Sequence, residues 1–268
     1  MDQKDIADRN NVRWIGDGDR VLMLAHGFGC DQNVWRFMTP SFTSVYKVLL
    51  FDYVGSGRSQ LSAFSTERYS RLEGYAQDVL DICAAYDLAD VSFVGHSVSG
   101  VIGLLAAQAQ PDRFRDLALL GPSPCYLNEP PDYQGGFARE DLEQLMDLMD
   151  KNYIGWADYL APIAMGSEAS AELTGELSGS FCSTDPLVAK TFANATFFSD
   201  YRHILPHTRH PTLLLQGQTD ALANPSVGEY MHRHMPGSQL VRLNTDGHCF
   251  HMSYPEKVSA EVLAFLSR

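Results

Sequence analysis

Five short apolar runs separated by amphipathic segments limit the folds available to this 268-residue chain more than any other feature. Their hydrophobicity is continuous rather than alternating, which is typical of strands buried on both faces of a parallel sheet. Between them apolar residues recur at helical spacing, as over 71–88. Alternating strands and helices predict an α/β fold with a mostly parallel central sheet flanked by helices. The predicted strands cover 21–25, 48–51, 91–94, 117–120 and 212–216, with 239–243 as a weaker sixth.

The alternation of strands and helices stops between residues 125 and 210, where helical patterns occupy 140–160, 171–182 and 185–199. Insertions of this kind are tolerated in loops, and loops carry function. We therefore predict a core formed by 1–124 and 211–268, with 125–210 as a helical cap over a pocket. An additional helical layer without a functional role is the alternative interpretation.

The charge of the chain limits its partners. A net charge of −13 repels nucleic acid and anionic membranes. No apolar run approaches the roughly 20 residues that cross a bilayer, and the polar N-terminus lacks the apolar segment of a signal peptide. The five cysteines are scattered and form no CxxC motif, which favours a reducing compartment. We expect a cytoplasmic protein that binds neither nucleic acid nor membrane.

The predicted strand at 91–94 leads directly into the sequence GHSVSG, residues 95–100, and then into a helical pattern. A serine on such a sharp turn projects its hydroxyl above the carboxyl edge of the sheet, and small neighbours relieve the crowding. Ser97 has Gly95 on one side and Ser99 in place of the usual second glycine. We predict that Ser97 is a nucleophile; the alternative is that it only caps the following helix.

A serine nucleophile needs a base, and the base needs an orienting acid. His248 follows the last predicted strand and precedes the last helix, which is the place of the base in enzymes with this motif. His251 is the competing candidate. Asp220 follows the strand at 212–216 and would accept a hydrogen bond from His248 Nδ1. An ordinary exposed turn aspartate is the alternative for Asp220.

Acyl transfer also needs backbone donors for the developing oxyanion. Val98 follows the nucleophile, and Phe28 lies in the HGFG loop after the first apolar run, so their N–H groups are the predicted donors. The glycines of HGFG also suit an ordinary tight turn.

Two other patterns invite comparison with ligand sites. The segment FDYVGSGRS, residues 51–59, is glycine-rich but lacks the spacing of nucleotide-binding loops, which favours a structural turn. His203, His207 and His210 are spaced like metal ligands, but no carboxylate or cysteine is obviously paired with them. We therefore expect neither a metal nor a cofactor.

Taken together, HGFG, FDYVGSGRS, GHSVSG, the Asp220 loop and GHCFHMS resemble the RsbQ-like and karrikin/strigolactone-receptor branch of the α/β hydrolases. The segments at 121–137, 151–157, 181–186 and 197–200 are especially similar to the RsbQ-like members, and the resemblance extends over essentially the whole chain. It implies an α/β-hydrolase fold with an inserted cap of about four helices, arranged as a V over a deep apolar cavity. It also implies a Ser97–His248–Asp220 triad with Phe28 and Val98 as oxyanion donors.

The resemblance further implies a function. RsbQ-like proteins are positive regulators of the bacterial general stress response, a form of sigma-factor regulation, and act with a PAS-domain phosphatase. Their plant relatives slowly hydrolyse butenolides and signal through partner proteins. We therefore expect a serine hydrolase acting on a small apolar ester or lactone. The alternative is a signalling protein whose main output is ligand-dependent binding of such a phosphatase, with slow or vestigial hydrolysis.

Two further reactions are known on this architecture. A haloalkane dehalogenase needs a carboxylate nucleophile, so the serine at position 97 argues against it. A cofactor-free haloperoxidase would use the same triad and stays open as a side activity.

Apolar ligand cavities are lined mainly by aromatic side chains with a few polar groups. His96 is expected near the opening of the cavity beside the nucleophile. Ordinary packing within the cap is the alternative for each aromatic residue. The candidate aromatic lining residues are Phe28, Phe137, Trp156, Phe197 and Phe198.

Overall fold

A seven-stranded sheet forms the centre of the molecule in the computed structural model, which describes residues 2–268. The strand order is β1-β3-β2-β4-β5-β6-β7, and every neighbouring pair is parallel except the antiparallel pair β1 and β3. The predicted α/β fold with a mostly parallel sheet is confirmed. The strands are β1 Arg13–Ile15, β2 Arg20–Ala25, β3 Tyr46–Leu50, β4 Val91–His96, β5 Phe114–Leu120, β6 Thr212–Thr219 and β7 Ser238–Asp246.

All six predicted strands are present, and most extend beyond the apolar run that indicated them. The central strand β4 is buried along its whole length, which explains its continuous hydrophobicity. The sequence missed β1, because this strand has three residues and lies at the edge of the sheet with partly exposed side chains.

Helices connect the strands along the chain. The predicted helices after 71, after Ser97 and after Pro255 are present, and Pro255 occupies the first turn of the last one. The described residues form the α-helices α1 Gln3–Arg9, α2 Thr39–Phe42, α3 Thr66–Tyr69, α4 Leu72–Ala85, α5 Val98–Ala109, α6 Arg139–Lys151, α7 Tyr153–Met165, α8 Ala171–Ser183, α9 Pro186–Phe197, α10 Pro225–His234, α11 Phe250–Ser253 and α12 Pro255–Leu266.

Four of these helices, α6 to α9, lie between β5 and β6. The helical pattern at 140–160 is two helices, which separate at Asn152 because its side chain accepts from Gly155 N–H and starts α7. The exact division of the chain into a core and a cap stays a prediction. None of the described helices combines the length and apolarity that a bilayer crossing requires.

The glycine-rich turn after β3 is held together by hydrogen bonds to the carboxylate of Asp52, a residue of the turn. Asp52 is buried and accepts from the backbone N–H groups of Gln32 and Arg58, at 2.9 Å each, and from the Asn11 amide at 2.7 Å. A Cβ at Gly57 would lie 2.5 Å from the Asp52 carboxylate. The turn thus encloses an aspartate, as expected of a structural turn.

Candidate active site

Ser97 lies at a strained turn between β4 and α5. Its backbone has φ 57° and ψ −124°, a left-handed conformation that costs a non-glycine residue on the order of 1–3 kcal/mol. A Cβ at Gly95 would lie 2.6 Å from the Ser99 carbonyl oxygen, so only glycine fits there. The side chain of Ser99 is buried and accommodated. The turn therefore has the sharp geometry predicted for a serine whose hydroxyl projects above the carboxyl edge of the sheet.

The three predicted triad side chains meet at the carboxyl edge of the sheet. His248 Nε2 lies 2.8 Å from Ser97 Oγ, and His248 Nδ1 lies 2.8 Å from Asp220 Oδ2. Ser97 follows β4, Asp220 follows β6 and His248 follows β7, so parallel strands bring their ends together. All three residues are buried. This hydrogen-bonded line can move a proton from a hydroxyl to an imidazole held by a carboxylate.

The orientation of Asp220 is fixed by its own loop. Its Oδ1 accepts from the backbone N–H groups of Leu222 and Ala223, at 2.8 Å each, which leaves Oδ2 facing His248. Asp220 is therefore a structured acceptor rather than the exposed turn aspartate of the alternative interpretation.

The loop that carries His248 is anchored on the helix α7. The backbone N–H groups of His248 and Cys249 both donate to the Ala164 carbonyl, at 2.7 and 3.1 Å. A Cβ at Gly247 would lie 2.0 Å from the Met165 carbonyl oxygen, so glycine is required for this close approach. The helix α7 thus fixes the position of the loop that carries the His248 imidazole.

The loop His26–Gly29, which we call the oxyanion loop, lies against the nucleophile. A Cβ at Gly27 would lie 3.3 Å from Ser97 Cβ and 2.7 Å from His96 Nδ1. Within residues 2–268, the backbone N–H groups of Phe28 and Val98 donate to no protein acceptor. Two unsatisfied donors beside a buried hydroxyl are suited to an oxyanion.

His251 packs in the core rather than facing the nucleophile. Its ring centroid lies 4.1 Å from that of His96 and 4.9 Å from that of Trp35, and it has no hydrogen-bond partner among the described residues. His96 Nε2 donates to the His248 carbonyl at 3.1 Å. Of the two candidate bases, only His248 reaches Ser97.

Three buried imidazoles predict that the folded protein becomes less stable as the pH falls. Burial lowers the pKa of His26, His96 and His251, that of His251 to about 3, whereas an unfolded histidine has a pKa of about 6.5. Below that pH the unfolded chain binds protons that the folded chain does not, so the free energy of unfolding falls as the pH falls. We expect the urea midpoint to decrease steadily from about pH 7.5 to about pH 5.

The variant His251→Phe checks this cause, because phenylalanine keeps a planar ring and takes up no proton. Its urea midpoint should depend on pH less steeply than that of the unchanged protein. An equal pH dependence of the two proteins would show that His251 does not contribute.

A chamber of about 30 Å³ adjoins the triad. Of the predicted lining residues, Phe28, Phe197 and His96 contact it. Phe198 does not, because one residue along a helix end turns the side chain by about 100° away from Phe197. Phe137 lines a separate outer cavity instead.

Trp156 lies behind the chamber wall. It is buried, its ring stacks on Tyr153 with centroids 5.5 Å apart, and it forms a T-shaped pair with Phe28 with centroids 6.0 Å apart. It therefore supports a lining residue without reaching the chamber itself.

Tyr126 is a chamber residue that the sequence did not reveal. Its phenol oxygen lies 3.3 Å from Ser97 Oγ, and burial raises its pKa to about 12, so the phenol stays protonated as a donor. Tyr126 lies in an irregular segment after β5, where periodicity gives no signal. The chamber wall also contains Cys30, Phe181 and Cys249.

The histidines considered as metal ligands have other contacts. His210 Nε2 lies 2.9 Å from the Pro111 carbonyl oxygen, and His203 stacks on Tyr201 with ring centroids 6.1 Å apart. Across residues 2–268, no group of three or more His, Cys, Asp or Glu side chains is arranged to hold a metal ion.

Comparison with known proteins agrees with this architecture. Residues 20–255 match the family model described as the alpha/beta hydrolase fold. The chain is 39% identical to Karrikin insensitive 2 receptor CA of Petunia hybrida, with 94% of each chain covered. It is 37% identical to Strigolactone esterase D14 of Arabidopsis thaliana, covering 100% of this chain and 98% of the relative.

A solved structure of a hydrolase from Oleispira antarctica is 53% identical in sequence and superimposes with a TM-score of 0.99. The superposition covers 100% of this chain and 98% of the chain in the solved structure. The parallel sheet, the turn after β4 and these similarities lead to one assignment: the chain belongs to the α/β hydrolases, in the branch that contains the karrikin and strigolactone receptors.

Proposed function

We propose that this protein is a serine hydrolase that cleaves a small apolar ester or lactone. The observation that carries the proposal is the line of hydrogen bonds from Asp220 through His248 to Ser97, with 2.8 Å at each step. Ser97 lies at a strained turn beside the unused N–H groups of Phe28 and Val98. These parts supply a nucleophile, a base, an orienting acid and oxyanion donors.

The proposed reaction has two stages. Ser97 Oγ attacks the carbonyl carbon while His248 Nε2 takes its proton, and the oxyanion accepts from Phe28 and Val98 N–H. The ester C–O bond then breaks as His248 returns the proton to the leaving oxygen, which in a lactone stays tethered to the acyl group. Water, deprotonated by His248, clears the acyl-enzyme.

The size of the chamber supports a small acyl group. Its volume of about 30 Å³ leaves room for no more than a small group beside Ser97. An outer cavity of about 510 Å³ lies next to it, and Leu160 and Leu222 line both spaces. We propose that the small acyl or ring part of the substrate reacts inside, the remainder occupies the outer cavity, and these two leucines restrict passage. On this proposal, α6 to α9 form a cap.

Replacing Leu160 by alanine should widen the acceptance of acyl chains. We expect kcat/KM for p-nitrophenyl hexanoate to rise at least about fivefold relative to that for the acetate, because a buried leucine no longer narrows the passage. The measurement is the hexanoate-to-acetate ratio of kcat/KM.

Leu142→Ala is the matched control, since Leu142 is equally buried in α6 but contacts neither cavity. Its ratio should equal that of the unchanged protein. The same ratio in all three proteins would argue against Leu160 as part of the restriction.

A fluorophosphonate probe tests the proposed function directly. The folded protein should be labelled at Ser97, as located by peptide mass spectrometry, and labelling should abolish hydrolysis of p-nitrophenyl acetate. Absence of both labelling and hydrolysis in a protein with a cooperative unfolding transition would overturn the proposal.

Signalling is the second candidate function, supported by the receptor named among the relatives. Here the protein would be a cytoplasmic, RsbQ-like component of stress signalling through sigma-factor regulation, and ligand-dependent binding of a PAS-domain phosphatase would be its main output. The test is a pull-down with such a phosphatase from the same genome, with and without a methylbutenolide enol ether. Capture that increases with the butenolide and persists in Ser97→Ala would favour binding over turnover.

A further inference from the structure

We propose that Ser99 is a positioning residue that sets the distance between the two oxyanion donors. The inference rests on the proposed hydrolase function and concerns the same site. Ser99 occupies the position where the usual motif has a second glycine. Its hydroxyl is thus an addition to the turn that a glycine could not supply.

The hydroxyl of Ser99 connects two segments that are far apart in the chain. Ser99 is completely buried, and its Oγ donates to the backbone carbonyl of His26, the first residue of the oxyanion loop. Since the hydroxyl has a single proton, the Tyr53 phenol, 2.8 Å away, donates to Ser99 Oγ. A serine within a helix commonly bonds a carbonyl of the preceding turn, whereas this one reaches another loop.

The two connected segments each carry one proposed donor. Ser99 directly follows Val98, whose N–H is one donor, and the bond to His26 holds the loop that carries Phe28 N–H, the other donor. An oxyanion must lie about 2.7–3.1 Å from both donors at once. The bond between Ser99 and His26 therefore fixes the relative position of the two donors.

A second bond orients the peptide group that contains Phe28 N–H. The carbonyl of that peptide belongs to Gly27, and it accepts from His26 Nδ1 at 2.8 Å. His26 Nε2 in turn accepts from the backbone N–H of Tyr53 at 3.3 Å. Tyr53 thus supports the oxyanion loop twice, through the His26 ring and through Ser99.

The test is Ser99→Ala, with kinetics expressed per active site after titration with a fluorophosphonate. We expect kcat for p-nitrophenyl acetate to fall about 10- to 100-fold and KM to change less than about threefold, since small errors in donor position affect the transition state most. The inhibition constant of an alkylboronic acid, which forms a tetrahedral adduct on Ser97, should rise by a similar factor.

Ser92→Ala is the matched control, because Ser92 is also buried but lies at the opposite end of the same strand β4. Tyr53→Phe is the second variant. It keeps the bond from Ser99 to His26 and removes only the hydroxyl that donates to Ser99 Oγ, so we expect a smaller loss of kcat than in Ser99→Ala. Ser99→Gly, which restores the usual residue of the motif and also lacks the hydroxyl, takes the place of Ser99→Ala if that variant does not fold, with the same expected loss of kcat.

The outcomes separate the inference from the proposed function. If the unchanged protein hydrolyses the ester and Ser99→Ala has the per-site kcat of Ser92→Ala, the positioning role is overturned. The same holds if kcat falls while boronic acid affinity is unchanged, or if Tyr53→Phe loses as much activity as Ser99→Ala. An unchanged protein that neither hydrolyses nor reacts with the fluorophosphonate overturns both.

Discussion

Ser97→Ala should lower kcat for p-nitrophenyl acetate by at least about 10⁴-fold and abolish fluorophosphonate labelling. Without the hydroxyl no acyl-enzyme forms, and the oxyanion donors alone give only residual acceleration over water. The expected loss is large because Ser97 Oγ is the atom that His248 Nε2 contacts, at 2.8 Å. The measurement is steady-state hydrolysis, with Ser92→Ala as the control for a buried serine that lies outside the site. Activity of Ser97→Ala within tenfold of the unchanged protein would exclude this residue as nucleophile.

The same position should show a trade-off between stability and activity. Ser97→Gly should be more stable than Ser97→Ala by about 1 kcal/mol, because glycine adopts a φ of 57° without strain. Urea unfolding measures the difference, and both variants should be inactive. Equal stability of the two variants would mean that the turn stores no strain that depends on the side chain.

Asp220→Asn should lower kcat on the order of 10⁴-fold while leaving the fold intact. The amide oxygen can still accept from Leu222 and Ala223 N–H, which directs its NH₂ group at His248 Nδ1. His248 then carries its proton on Nε2 and cannot accept one from Ser97. The measurement is kcat for p-nitrophenyl acetate, together with the unfolding midpoint.

Asp116→Asn is the matched control for Asp220→Asn. Asp116 is a buried carboxylate in β5, near the opposite end of the sheet from the triad. Its substitution should leave kcat within about threefold. A comparable loss in both variants would indicate a general effect of removing buried charge.

The sequence predicted six of the seven strands, because burial on two faces leaves a continuous apolar run, as in β4. It also predicted which residues meet at the edge. Ser97 and Asp220 directly follow strands, and His248 lies two residues beyond the end of β7. Parallel strands place all their carboxyl ends on one side. For these residues, position along the chain was sufficient.

The lining of the chamber depended on helix rotation and loop path, which leave no periodic signal. Phe197 faces the chamber and Phe198 does not, although the two are adjacent and chemically identical. Tyr126 reaches Ser97 from an irregular segment, and Phe137 lies in the outer cavity. Aromatic composition identified candidates but could not choose among them.

The sequence by itself determined the α/β architecture, the turn at Ser97 and the identities of the residues that meet there. Only the tertiary structure decided the contacts across the chain, such as Ser99 with His26 and His248 with Ala164. The physical reason is that hydrophobic period and turn chemistry are local properties of the chain. A hydrogen bond between two loops, in contrast, depends on where the packing of the whole molecule places both of them.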